Sequence, residues 1–166
     1  MKWKRTGIAL AWVLLGPGVV QAQVVLPEKS PAGLSENVFG LGLFGGPATG
    51  LGLSFRHHLP SSLSYQITGG IIKASGLLRY DIGGEIQVDL ARSASNRYFL
   101  AGGVGYYYSG ASGTNEMEAP VRIGLGVAGE FAMTSGLQTT GEILFTFFSD
   151  GTVLPLPQVG FHYYFY

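Results

Sequence analysis

The side chains best suited to acid–base or nucleophilic chemistry are His57, His58 and His162, with Ser61 and Ser62 close behind the first two histidines. A serine hydrolase needs a histidine to take the serine proton and an acid to orient that histidine. The two serines fall in a segment typical of a turn, and no acid is placed beside them. We therefore predict no catalytic residue: His57 and His58 supply polarity beside a turn, and His162 forms an internal hydrogen bond.

Acidic residues at regular spacing raise the question of a metal site. Asp81, Glu85 and Asp89 recur at every fourth residue, but in a strand each such step covers roughly 13 Å. They cannot share one ion without ligands from other strands. Glu116 and Glu118 lie in the longest segment between strands, where solvated side chains are the usual state. We predict no metal ion and no other cofactor.

The glycine-rich run GLGVAG, residues 124–129, invites comparison with a nucleotide-binding loop. Such a loop lies between a strand and a helix, whereas this run falls inside a strand pattern. The chain has ten Lys and Arg against ten Asp and Glu, and without its first 22 residues it has seven basic and ten acidic residues. This balance provides no basic surface for phosphates, so we expect no nucleic-acid partner.

The N-terminal segment has the pattern of an export signal. Three positive charges within the first five residues precede an apolar run at 7–20, and Ala22 provides a small residue at the expected cleavage point. The run is shorter than the ~20 residues of a spanning helix, and it contains the helix-breaking triplet Gly-Pro-Gly. We predict a signal peptide at 1–22 and an irregular lead-in at 23–36; the alternative is an uncleaved N-terminal anchor.

From residue 37 to residue 166 the chain alternates with period two between apolar residues and polar or small ones, which is typical of strands with two different faces. Strands joined by short connections pair antiparallel, and closing the first strand onto the last removes two exposed edges. We therefore predict one domain, an all-β, eight-stranded antiparallel up-and-down transmembrane β-barrel. Its strands are expected at about 37–45, 48–58, 63–73, 77–92, 97–108, 121–132, 137–149 and 157–166.

The direction in which the apolar face points decides between a soluble barrel and a membrane barrel. In LLRYDIGGEIQVDLAR, residues 77–92, apolar residues alternate with charged residues, polar residues and glycine. Only 12% of the chain is charged, against roughly 25% in soluble domains, so the small, weakly charged face would make a poor solvent surface. We therefore predict that Ile82 and its apolar neighbours face lipid and that Glu85 faces a narrow lumen.

A lumen lined by charges of both signs favours a plugged barrel over an open pore, because opposite charges inside it can pair. The alternation assigns eight charged side chains to the lumen face: Arg56, Arg79, Asp81, Glu85, Asp89, Arg122, Glu130 and Glu142. We predict a lumen charge network among them. The alternative is that some of them lie in water at the rims of the barrel without partners.

In its signal peptide, its eight alternating segments and its aromatic last segment GFHYYFY, the chain resembles the small outer-membrane β-barrel proteins of Gram-negative bacteria, the OmpA/OmpX-like group. The resemblance covers residues 37–166 as a pattern. It implies a location in the cell outer membrane with both termini in the periplasm. It also implies periplasmic turns at 59–62, 93–96 and 133–136 and exterior connections at 45–47, 74–76, 109–120 and 150–156.

The same resemblance implies the partners of the chain. These are outer-membrane lipid and the outer-membrane assembly machinery, which recognises a terminal aromatic residue; an extracellular partner stays unidentified, and a monomer is expected. Tyr166 is the terminal aromatic residue here, but the alternation puts it on the lumen side, opposite to Phe165. This parity departs from the pattern of the group and weakens the assignment of Tyr166 as the recognised residue.

Barrel enzymes that trim lipid A provide the nearest enzymatic comparison. The deacylase type carries a His-x-Ser pair on a late strand that faces lipid, and the corresponding segment here, EILFTFFSDG, has no histidine. The sequence therefore predicts a non-enzymatic protein with a filled lumen and a structural or surface-interaction role. The alternatives are a lipid-modifying barrel enzyme and a soluble periplasmic barrel that binds an apolar ligand.

Overall fold

The computed structural model describes residues 37–111 and 113–165. The predicted signal peptide and lead-in, together with Tyr166, lie outside the described residues. Eight strands make up the described chain: β1 (Val38–Gly46), β2 (Gly50–His58), β3 (Leu63–Ala74), β4 (Leu77–Arg92), β5 (Asn96–Gly110), β6 (Val121–Ala132), β7 (Leu137–Phe148) and β8 (Val153–Phe165). In these two ranges, no helix is long and apolar enough to cross a membrane.

Every strand pairs antiparallel with the next one, and β1 closes the barrel by pairing with β8. The prediction of an all-β, eight-stranded, antiparallel up-and-down barrel is confirmed. Two ends can be told apart by their connections. The turn end carries 59–62, 93–95 and 133–136, and the loop end carries 47–49, 75–76, 111–120 and 149–152.

Seven strands begin and end within two residues of their expected positions, but β8 begins at Val153, four residues before the predicted start. The predicted start is later because Pro155 and Pro157 are typical of a loop. Both prolines pair with β7, while the pairing of β8 with β1 covers only Val159–Phe165. A proline has no N–H to donate. A strand therefore tolerates proline where no neighbouring strand lies on that side to accept a hydrogen bond.

The apolar face of the barrel points outward and the polar face points inward. On β4, Ile82 is 59% exposed, whereas Glu85 is 3% exposed. On β2, Leu53 is 75% exposed, and Arg56 is completely buried. Period-two alternation places every second side chain of a closed barrel in the lumen, and in this barrel the polar side chains are the ones placed there.

The turn between β1 and β2 folds into the lumen instead of projecting away from it. Ala48 and Thr49 are 0% and 1% exposed, and the side-chain oxygen of Gln158 accepts hydrogen bonds from their backbone N–H groups at 3.0 and 3.2 Å. Tyr107 donates its hydroxyl to the carbonyl of Gly46 at 2.5 Å. These bonds satisfy backbone groups that burial would otherwise leave unpaired. We call Pro47, Ala48 and Thr49 the plug turn.

Glycines line the part of the wall against which the plug turn rests. A Cβ atom on Gly83 would lie 2.0 Å from the carbonyl oxygen of Thr49, and one on Gly105 would lie 2.5 Å from that of Ala48. A Cβ on Gly103 would approach the Thr49 methyl group to 2.8 Å. The absence of side chains at these positions therefore provides the space that the plug turn occupies.

Gly83→Ala should lower the thermal unfolding midpoint of the barrel, because its new methyl group collides with the backbone of the plug turn. Overpacking of this kind costs about 1–3 kcal/mol. The midpoint is read from the loss of the compact, fast-migrating form on a gel after heating. Gly141→Ala is the matched control, since a Cβ at that strand position meets nothing within 4 Å. Equal midpoints for the two variants would contradict the assigned role of Gly83.

Candidate functional site

Glu130 on β6 is the centre of a buried charge cluster in the turn-end half of the lumen. Its Oε1 accepts hydrogen bonds from Arg56 at 2.9 Å and from the hydroxyl of Tyr164 at 2.6 Å, and its Oε2 accepts one from Arg97 at 2.7 Å. Glu130 and both arginines are 0% exposed. One carboxylate is therefore the shared partner of two buried guanidinium groups. Buried charges need such partners, because they have lost their contact with water.

Arg56 reaches across the barrel. It lies on β2, and Glu130 lies on β6, so the pair joins strands on opposite sides of the eight-stranded ring. Arg56 also donates to Gln66 and, at 2.7 Å, to Thr140, and its Nη2 lies 3.5 Å from a carboxylate oxygen of Glu142. The geometry uses donors on all three guanidinium nitrogens, which is the condition under which an arginine is stable when buried.

Arg97 connects the cluster to the rim at the turn end. Its Nε donates to Asp89 at 2.5 Å, its Nη2 donates to Gln87 at 2.7 Å, and its guanidinium carbon lies 4.2 Å from the ring centre of Phe99. Asp89 also pairs with Arg92 at 2.5 Å. The charges thus continue from the buried centre to a partly exposed ion pair.

A second polar group ties the cluster to the plug turn. Glu142 accepts a hydrogen bond from Gln158 at 3.0 Å, and the same glutamine accepts the two backbone bonds of the plug turn. Glu85 accepts from Gln87 at 2.6 Å and from the hydroxyl of Thr49 at 3.3 Å. Polar contacts therefore extend from Arg97 near the turn end to Thr49 in the plug turn.

The structure divides the eight residues predicted for the lumen network. Arg56, Glu85, Glu130 and Glu142 lie buried near one another in the lumen, and Asp89 joins them through Arg97. The remaining three, Arg79, Asp81 and Arg122, lie towards the loop end, away from this cluster.

Arg79 matches the alternative of a charge at the rim, because it is exposed and has no ion pair among the described residues. It lies on the correct face of β4, but close to the end of the strand, beyond the filled part of the lumen. Asp81 is half-buried and accepts a hydrogen bond from the N–H of Leu51 at 2.6 Å. Arg122 lies 4.1 Å from the ring centre of Tyr107 and donates to the carbonyl of Pro47 at 2.7 Å.

Of the three histidines, His58 and His162 are buried inside the barrel. His58 ends β2 beside the turn, as expected, but it is 1% exposed, its ring stacks on Tyr164 with centroids 4.9 Å apart, and its Nδ1 lies 2.8 Å from the hydroxyl of Ser64. His57, on the other face, contacts the hydroxyl of Tyr65 at 3.2 Å. His162 is buried and forms a hydrogen bond with Ser54 at 2.9 Å, in keeping with the internal bond expected for it.

Ser64, His58 and Glu130 have the residue types of a catalytic triad. The Nδ1 of His58 lies 2.8 Å from the hydroxyl of Ser64, and its Nε2 lies 3.6 Å from Glu130. All three side chains are at most 1% exposed, so a substrate cannot reach the serine hydroxyl. The carboxylate of Glu130 is also engaged by two arginines. The arrangement can fill and stabilise the lumen, but it lacks the access that catalysis requires.

Sequence reasoning missed Arg97 and Tyr164 as members of the network. Both have the lumen parity of their strands, so the alternation contained the signal that places them inside. What it did not contain was the pairing of distant strands. Contacts such as that between Arg56 and Glu130 depend on the closed shape and the shear of the barrel.

A scan of known protein families finds no family model that matches the chain, and no characterised protein matches it by sequence. Within residues 37–111 and 113–165, no three His, Cys, Asp or Glu side chains are grouped so that they could hold a metal ion.

Glu130→Gln should strongly destabilise the barrel, because it keeps the side-chain shape but leaves two buried arginines without their shared carboxylate. Breaking a buried ion pair on one side costs about 3–5 kcal/mol. The free energy of unfolding is measured by urea titration of the protein in detergent. Glu118→Gln, the same change at an exposed loop position, should stay within about 0.5 kcal/mol of the unmodified protein. Similar losses for both variants would show that Glu130 is not the centre of the network.

Proposed function

We propose that this chain is a small integral protein of the bacterial outer membrane, with a filled lumen and a structural or surface-interaction role. The observation that carries the proposal is the inverted barrel, with apolar side chains outside and arginines and glutamates inside. Leu41, Ile86 and Leu125 are 53%, 63% and 61% exposed on three different strands. An apolar surface that surrounds a polar interior is the arrangement expected of a transmembrane barrel.

Aromatic side chains support the same proposal, because they gather towards both ends of the apolar surface. Near the loop end, the rings of Tyr80 and Tyr108 stack with centroids 4.7 Å apart. Near the turn end, Phe39 lies 5.8 Å from Phe165. Aromatic residues prefer the two interfaces between lipid and water. The shortest strands have nine residues, and a tilted spanning strand needs about 9–11.

The filled lumen argues against a role as a general pore. The plug turn occupies the loop-end half, and the cluster around Glu130 occupies the turn-end half. Side chains from other strands hold the plug turn by hydrogen bonds to its backbone, and the cluster is held by hydrogen bonds between side chains of several strands. With its interior filled, the barrel has its loops and its outer wall left for interactions with other molecules.

The two alternative functions have less support. A soluble barrel that binds an apolar ligand needs an apolar interior, whereas this interior holds Arg56, Arg97 and Glu130. A lipid-modifying enzyme needs a reactive group that lipid can reach, whereas the Ser64, His58 and Glu130 group is buried. Export by the segment at 1–22, membership of the OmpA/OmpX-like group and assembly by the outer-membrane machinery belong to the proposal as well. They rest on the pattern of the sequence and its agreement with an eight-stranded barrel.

Cell fractionation tests the location. We expect the protein in the outer-membrane fraction, where it should resist alkaline washing because its apolar wall is surrounded by lipid. Unboiled samples should migrate faster on a gel than boiled ones, since the closed barrel resists unfolding by detergent. Recovery in the soluble periplasm without detergent would contradict the membrane proposal.

Planar bilayers test the filled lumen. We expect the refolded barrel to insert without producing steady open channels, because the plug turn and the Glu130 cluster block the path in series. A large open porin, refolded and inserted in the same way, serves as the positive control. Long-lived ohmic conductance from the unmodified protein would contradict the filled lumen and would favour a transport function.

A further inference from the structure

The barrel wall is incomplete at its loop end, between β3 and β8. The pairing of β3 with β2 stops at Gly69, so residues 70–74 pair only with β4 in the described chain. The pairing of β8 with β1 likewise covers only Val159–Phe165. The hairpin of β1 and β2 is thus too short to fill the wall between its two taller neighbours.

The tip of this short hairpin leans into the barrel, which widens the gap. Gly50 and Gly52 have φ angles of +114° and +134°, a backbone region that glycine adopts without strain. The bent segment comes so close to β3 that a Cβ on Gly70 would lie 2.5 Å from the carbonyl oxygen of Leu51. The N–H of Leu51 is held by the carboxylate of Asp81 at 2.6 Å. The bend that places the plug turn in the lumen therefore also opens the wall.

A cavity of about 1070 Å³ fills the space above the bent hairpin, comparable in size with the pockets of roughly 300–1,000 Å³ that hold small ligands. Its lining combines the two faces of the barrel. Leu43, Leu51 and Leu53 come from the outer face of the hairpin, and Arg79 and Arg122 come from the inner face of the taller wall. The cavity therefore has an apolar side that meets the lipid face of the barrel and a cationic side that meets the lumen mouth.

The two arginines leave binding capacity unused. Arg122 donates one N–H to the carbonyl of Pro47, and its Nε is buried without a hydrogen-bond partner among the described residues. Arg79 is exposed and has no ion pair in the same part of the chain. The nearby carboxylate, Asp81, accepts the N–H of Leu51, and it offsets only one of the two positive charges. An arginine with free N–H groups matches a carboxylate in both charge and geometry.

From this combination we propose that the cavity binds a long-chain fatty acid, which enters from the surrounding membrane over the short hairpin of β1 and β2, on the side of β3. The hydrocarbon chain lies against the leucines of the hairpin, and the carboxylate meets Arg79 and Arg122. The position of the cavity along the barrel axis fits a carboxylate at the membrane interface, because the interfacial rings of Tyr80 and Tyr108 also line it. The inference rests on the proposed membrane location, and its site adjoins the plug turn, because Arg122 lines the cavity and also donates to the carbonyl of Pro47.

Fluorescence quenching tests the site directly. The only tryptophans of the chain are in the predicted signal peptide, so a tryptophan introduced into the mature protein is a unique reporter. We would place Ile72→Trp, in the cavity lining, into phosphatidylcholine nanodiscs and titrate brominated palmitate. The matched control is Ile86→Trp on the lipid face of β4, because both isoleucines are similarly exposed, 62% and 63%. Met117→Trp, also at the cavity, serves if the first variant does not fold.

We expect saturable quenching at the cavity reporter that unlabelled palmitate reverses, and only weak, non-saturable quenching at the control position. Arg79→Gln should weaken palmitate binding by about tenfold, the usual effect of losing one charge-assisted contact. Lys73→Gln removes a nearby cation that does not line the cavity, and it should leave binding unchanged. Hexadecanol, which has the chain but no charge, should bind equally to the unmodified protein and to Arg79→Gln.

The outcomes separate the two proposals. A chain that does not insert into nanodiscs, as judged by heat-modifiable migration, contradicts the outer-membrane proposal and the fatty-acid site together. A chain that inserts but shows equal, non-saturable quenching at both reporters contradicts the site alone. Equal palmitate affinity for Arg79→Gln and Lys73→Gln would overturn the assigned role of the cationic side.

Discussion

The ion pair between Arg56 and Glu130 is the interaction on which the interior of this barrel depends. It joins opposite walls of the lumen at 2.9 Å, and both side chains are fully buried. Charges in such a position are stable only when every one has a partner. Arg97 and Tyr164 donate further hydrogen bonds to the carboxylate of Glu130. Gln66 and Thr140 accept the remaining hydrogen bonds of Arg56. The cluster thus connects strands on opposite sides of the barrel and occupies the turn-end half of the lumen.

The plug turn fills the loop-end half of the lumen. Backbone groups inside a barrel need partners as much as charged side chains do, and Gln158, Tyr107 and Arg122 provide them. The wall opposite the turn carries glycines at 83 and 105, because a side chain there would occupy the space of the backbone. Small residues on the lumen face are therefore as necessary to the interior as the charged ones.

Filling the lumen with the first hairpin has a consequence for the outer wall. A hairpin that bends inward no longer reaches the height of β3 and β8, so the wall has a gap between the apolar outer face and the mouth of the lumen. Arg79 and Arg122 were expected in an internal charge network. They line this opening instead, where their positive charge faces a partly apolar cavity. One displacement of backbone thus accounts for both the closed lumen and the candidate binding site.

Local alternation by itself determined which side chains share a face, because strand geometry repeats every two residues. The short connections between the alternating segments determined the antiparallel order of the eight strands. The alternation also gave Glu130 and Arg56 their lumen positions. Tertiary structure decided the start of β8, where the missing neighbour makes Pro155 and Pro157 acceptable, and it gave His58, expected as a polar residue beside a turn, its buried contacts with Tyr164 and Ser64. It alone decided the pairing of Arg56 with Glu130 and the inward bend of the first hairpin. Those features depend on the shear and closure of the whole barrel, which bring together residues that are far apart in the sequence.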